Sequence, residues 1–158
     1  YIAPMGASSV LLFAVPASPL AQPWNMVVGN TLAGVIGVSC AMLIPNLTGA
    51  FSIAVALAII LMMSTDSLHP PSGAVAITAV LGGKAVHDLG YMFVLYPVLL
   101  NSMLLMFAAV IFNRLLGNTG IVRRSAKTIE AKTAVKLATN LRVRYGHLDT
   151  RWSSRPQE

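Results

Sequence analysis

The residue types capable of chemistry gather at one place in this chain, His69-Pro70-Pro71-Ser72-Gly73-Ala74, three positions after Asp66. Asp66 is the one charged side chain in the first 83 residues. In so apolar a chain, an isolated carboxylate beside an interrupted backbone reads as a working site. Pro70 has no N–H and disfavours helical geometry at His69, so a helix should stop there and a new one begin at Pro71 or Ser72. The first turn of that new helix has N–H groups at Ser72, Gly73 and Ala74 without intrahelical partners, and its dipole adds partial positive charge. That is an anion-binding geometry. Gly73, and Gly6 far upstream, remove side chains so that a small solute can approach the backbone, while the hydroxyls of Ser72, Ser8 and Ser9 offer donors. The plainer alternative makes Ser72 a helix cap and the glycines packing residues.

Asp66 and His69 stand at i and i+3 and share a face if the helix persists to the break. As a pair they could hold or relay a proton, imidazole charge balanced by carboxylate. Read singly, His69 is a cap donating to a carbonyl, and Asp66 is a solvated group at headgroup depth among Ser64, Thr65 and Ser67. An ionised Asp66 repels an anion, so an anion site requires it to be paired or protonated. Hydrolysis by Ser8 or Ser9 with His69 is disfavoured, because neither a G-x-S-x-G elbow nor an H-E-x-x-H helix occurs. The sequence points to no enzyme, no metal and no cofactor.

The elements that must position these residues belong in a bilayer. With 56% hydrophobic and 10% charged residues, the chain has too little polar surface for a soluble domain of 158 residues. Trp24 to Ile44, Leu47 to Leu68 and Tyr91 to Asn113 (24–44, 47–68 and 91–113) have the length of transmembrane helices, the last with Pro97 as a kink. Two further apolar segments, residues 4–15 and 71–82, are about 15 Å long as helices and cannot cross a hydrocarbon core of roughly 30 Å. Ala33, Gly37 and Ala41 form a small-residue stripe for helix packing and offer a contact for a second copy, so a homo-oligomer is expected. Cys40 reads as a small packing residue.

An internal repeat links the short segments. Pro4-Met5-Gly6-Ala7 and its apolar run match Pro71-Ser72-Gly73-Ala74 and its own at an offset of 67 residues. Each half reads as helix, half-helix and helix, with the first helix lost upstream of Tyr1. The expected fold is all-α, a polytopic transmembrane bundle over residues 1–116. Paired short segments at corresponding positions point to a transporter's binding site. The remaining residues, 117–158, form a basic tail. Ten of the eleven Lys and Arg residues lie from Arg114 onward. The stripe Val122, Ala126, Ile129, Thr133, Leu137 and Leu141 could lay a helix on an anionic leaflet, or the tail is disordered. The basic charge concerns the membrane surface rather than nucleic acid, and the positive-inside tendency puts the tail in the cytoplasm, most simply at a bacterial cytoplasmic membrane.

His69-Pro70-Pro71-Ser72-Gly73-Ala74 resembles the HPP family of integral membrane proteins. So do Pro4-Met5-Gly6-Ala7-Ser8 upstream, Pro19-Leu20-Ala21-Gln22-Pro23-Trp24 between, and Leu81-Gly82-Gly83, Asn101 and Asn113-Arg114-Leu115 downstream. The resemblance covers Tyr1 to about Gly117. It implies a small membrane protein of four transmembrane helices, related to plant chloroplast-envelope proteins assigned nitrite transport. The chain departs from it in lacking the first helix, in having Ser72 where relatives often carry glycine, and in its tail. The function expected is a transporter or channel for a small inorganic anion, nitrite being the implied candidate. The competing class is a membrane scaffold or sensor subunit that recruits partners through its basic tail.

Overall fold

Proline and asparagine set the helix starts along this chain. Pro4, Pro23 and Pro71 each occupy the first helical position, where a missing N–H removes no hydrogen bond and φ is already helical. Asn46 caps a fourth helix, its side chain accepting from the Gly49 N–H at 2.7 Å. In the computed structural model, which describes residues 4–117, 131 and 133–141, the order is α1 (Pro4–Ala14), α2 (Pro23–Leu43), α3 (Leu47–Ser64), α4 (Pro71–Leu81), α5 (Gly83–His87) and α6 (Leu100–Leu115). A 3-10 turn, Pro19–Ala21, precedes α2, and a π-helical stretch, Val94–Leu99, leads into α6. The described residues are helical with no strand, and three apolar helices, Pro23–Leu43, Leu47–Ser64 and Val94–Leu115, are long enough to span a membrane.

The chain divides into two units, Tyr1–Ile121 and Val122–Glu158. In the second, residues 133–141 are helical, with Val135, Leu137 and Leu141 exposed. Val122, Ala126 and Ile129 of the expected tail stripe lie outside the described residues.

Within the first unit α2 is the central helix: half of its apolar window is buried, against 22% for α3 and for Val94–Leu115. Close approach explains this. A Cβ on Gly37 would lie 2.6 Å from the Ala79 Cβ and 2.7 Å from the Ala76 carbonyl oxygen, so the backbones of α2 and α4 touch. From α3, Ala50, Ala54, Ala58 and Met62 are buried at a spacing of four. The small-residue stripe thus serves packing inside the chain: Ala33 is buried and Gly37 faces α4, so these two offer no surface to a second copy. A second, smaller cluster joins Leu12 of α1 to Ala21, Met26 and Ala109.

Two boundaries differ from the sequence reading. The span expected to reach Leu68 stops at Ser64, because Thr65 caps the helix and Asp66 takes a left-handed conformation at φ 53°. The span expected from Tyr91 is broken at Tyr96, which has extended dihedrals (φ −136°, ψ 113°) ahead of Pro97. The short segments end at Ala14 and Leu81, within a residue of expectation, and each is an 11-residue helix.

Candidate functional site

The two short helices meet at their beginnings and run apart. On α4, Ser72 lies against Gly29 of α2, and Ala79 against Gly37, so α4 follows α2 toward its C-terminal end. On α1, Ser8 contacts His69, whereas Leu12 packs with Ala21 and Met26, toward the other end of α2. Ser8 of α1 and Ser72 of α4 are therefore buried close to His69, while Gly6 and Ala7 of the one first turn and Ala74 of the other are exposed. Gly29 is four residues before Ala33, the middle of the 21-residue α2, which is about 6 Å along the helix axis. If α2 spans symmetrically, this junction lies within the hydrocarbon, whose half-thickness is roughly 15 Å.

His69 is fully buried at the junction, in the segment between α3 and α4. Its Nδ1 is 3.0 Å from the Leu20 carbonyl oxygen, and its Nε2 is 2.9 Å from Ser8 Oγ. A carbonyl can only accept, so Nδ1 carries the hydrogen. In the neutral ring Nε2 is then an acceptor, and Ser8 donates to it. One imidazole thus ties together α1, the 3-10 turn and the segment leading into α4. The cap reading of His69 is close to this, except that the carbonyl comes from a distant turn rather than from the preceding helix.

A second buried polar chain crosses from α4 to α6. Ser72 Oγ donates to Asn30 Oδ1 at 2.8 Å, Asn30 Nδ2 donates to Ser102 Oγ at 2.9 Å, and Ser102 Oγ donates to the Val98 carbonyl at 2.8 Å. Ser72, Asn30 and Ser102 are all fully buried, where an unpaired hydroxyl or amide would be costly. Around the break, Asn25 Nδ2 donates to the Leu68 carbonyl at 2.9 Å and Trp24 Nε1 to the Thr65 carbonyl at 3.1 Å, which anchors the segment to α2.

The residues named from sequence separate into groups here. Ser8 and His69 are brought together, and Ser72 joins α2 instead of facing a solute. Ser9 is turned back on its own helix, its Oγ donating to the Met5 carbonyl at 2.8 Å. Gly6 and Gly73 both face open space, with nothing within 4 Å of an added Cβ. Ala7, Ala74 and Pro70 are exposed and Pro71 is half-buried. Asp66 is exposed, and both nitrogens of His69 are engaged with Ser8 and Leu20, so the imidazole carries out its bonding without the carboxylate.

The amides at the start of α4 also differ from expectation. Pro70 is helical (φ −53°, ψ −38°), and this continues the turn backward. The Ser72 N–H then bonds the His69 carbonyl at 2.9 Å, and the Gly73 N–H bonds the Pro70 carbonyl at 3.2 Å. The Ser8 hydroxyl and the imidazole N–H are likewise engaged, with Nε2 and with the Leu20 carbonyl, so these amides, the hydroxyl and the ring are all bonded within the protein. Asn30, Ser102, Asn25 and Gly29 were not singled out from sequence, although a polar Asn30 inside an otherwise apolar span is the signal that marks them.

The sequence matches the transmembrane region of the HPP family over residues 1–120. A curated transmembrane protein of Dictyostelium discoideum is 38% identical over 116 residues, covering 71% of this chain and 40% of that protein. A second transmembrane protein of the same organism is 37% identical over 111 residues, 68% of this chain and 35% of its own length. The chain therefore spans about two fifths or less of these relatives. No solved structure matches it. With three spanning helices, two short helices meeting at a His-Pro-Pro break, and this match along the whole helical unit, the chain is a multi-pass integral membrane protein that belongs to the HPP transmembrane family.

Proposed function

We propose that the chain is a unit of a membrane transporter or channel for a small inorganic anion, nitrite being the candidate that the family resemblance suggests. One observation carries this reading: two half-length helices start at a buried Ser8–His69 contact and diverge, with a glycine of each first turn, Gly6 and Gly73, beside open space. Opposed half-helices of this kind aim two positive dipole ends at one place within the membrane. Bond-making chemistry is not part of the proposal. A nucleophilic Ser8 needs donors for an oxyanion, and the Ser72 and Gly73 amides are already bonded to carbonyls. The basic tail follows the positive-inside tendency and lies in the cytoplasm. A homo-oligomer completes the pathway through surfaces other than Ala33 and Gly37.

The same bonded amides favour the scaffold alternative, in which the break serves packing only. Flux separates the two. Purified full-length protein in liposomes should pass nitrite above the rate of protein-free vesicles. Gly73→Trp should abolish that passage, because the new ring fills the space beside α4. Flux indifferent to Gly73→Trp, or no flux from the parent protein, leaves the scaffold as the better reading.

A further inference from the structure

An anion inside the bundle needs a compensating charge, and the described residues contain one side chain placed to supply it. The isolated charge costs several kcal/mol or more to desolvate, whereas each helix end offers roughly half a unit charge, and serine and asparagine offer dipoles alone. The groups around His69 are neutral. Among the described residues α1, the 3-10 turn, α3 and α4 carry no titratable side chain. On α2 the titratable group is Cys40, eleven residues beyond Gly29. Tyr96 ahead of α6 and Arg114 in its last turn are exposed, as is Asp66. His69 is left as the buried group that can turn positive.

Resting on the transport reading above, we propose that His69 takes up the proton that accompanies the anion, so that one proton on Nε2 and one monovalent oxyanion move as a neutral pair. The hydrogen-bond geometry says how. Nδ1–H is committed to the Leu20 carbonyl, so an incoming proton must go to Nε2. That atom then changes from acceptor to donor, and Ser8 Oγ, 2.9 Å away, can no longer give it a hydrogen. The hydroxyl turns and its hydrogen is released for the anion. Before protonation the junction spends its hydroxyl hydrogen on the ring. After protonation it presents an imidazolium and a free hydroxyl donor together. Proton and anion each make the other's binding more favourable, to the same extent.

The test uses the full chain in liposomes containing a pH-reporting dye, with nitrite as the probe and the membrane potential clamped. The expected result is about one proton entering per nitrite, and accumulation unchanged by an inside-negative potential. An uncompensated anion would instead accumulate about 50-fold less at 100 mV, from roughly 2.3 kcal/mol per charge. His69→Gln should lower uptake at least tenfold and abolish the accompanying proton entry. Ser8→Ala, which retains the ring, should keep one proton per nitrite while uptake falls and its pH profile shifts. Nitrite flux that carries no proton and follows the potential overturns the coupling but leaves the transport reading standing. Absence of any flux from the parent protein overturns both. One proton per nitrite persisting in His69→Gln, or a Ser8→Ala protein with the parental pH profile, places the proton elsewhere and ends the proposal.

Discussion

Gly29→Ala tests whether the break is clamped to α2 as tightly as the geometry requires. The added methyl would lie 2.8 Å from the Ser67 carbonyl oxygen, 3.0 Å from Ser72 Oγ and 3.1 Å from His69 Cβ. The first of these is backbone, in a segment already fixed by the Asn25 and Trp24 side chains, so it cannot swing aside. Forcing a methyl into a packed site costs about 1–3 kcal/mol, while alanine in a helix interior returns about 0.5–1 kcal/mol over glycine. The net expectation is a loss of roughly 0.5–2 kcal/mol, or several degrees at about 2–4 °C per kcal/mol for a chain of this size. Gly73→Ala is the matched control: its methyl meets nothing within 4 Å, so the variant should be as stable as the parent or slightly more so. Thermal unfolding of the three proteins in one mild detergent, followed by circular dichroism, gives the order. A Gly29→Ala protein melting at or above the parent would refute the close contact on which the site's geometry depends.

Asn30→Leu should cost about 1–3 kcal/mol, since it leaves the buried Ser72 hydroxyl without its acceptor, and adding Ser72→Ala should recover part of that loss in the same melting assay. Asp66→Asn should fold like the parent, because asparagine tolerates a left-handed residue, whereas Asp66→Val should lose about 1–2 kcal/mol at φ 53°. In vesicles Asp66→Asn should also keep the parental proton coupling, and a variant that loses it would return the carboxylate to the mechanism.

The starts of α1, α2, α3 and α4 and the His69 break were legible from sequence because apolar runs and prolines are local signals. Pro4 and Pro71 opened their helices as read, and Pro45-Asn46 separated α2 from α3. The end of α3 was not legible: Thr65 to Leu68 is composed like a last helical turn, and the left-handed turn at Asp66 appears only once Asn25 and Trp24 hold the segment from α2. The amides of Ser72 and Gly73 were misjudged for a similar reason. A residue before proline is normally kept out of helical space, yet Pro70 is helical ahead of Pro71 and so supplies their acceptors. Ser8 and His69 were both named, but their bond spans 61 positions, and the Leu20 carbonyl that fixes the tautomer is a backbone atom with no sequence signature. Spacing along one helix suggested Asp66 as the partner of His69, while tertiary packing supplied residues from two other elements.

The division of the apolar interior into two clusters has a mechanical consequence. One cluster binds α2, α3 and α4 with the residues at Val94 and Val98, and the other binds α1, Ala21 and Met26 to Ala109 of α6. Prising α4 from α2 would undo glycine-to-backbone contact along much of its length. Where α1 meets the first group, Met5 packs on its apolar cluster and the Ser8–His69 hydrogen bond adds about 1 kcal/mol net. Any movement that separates α1 from α4 therefore has to release the Met5 contact together with the Ser8–His69 hydrogen bond, so an apolar and a polar tie give way at once.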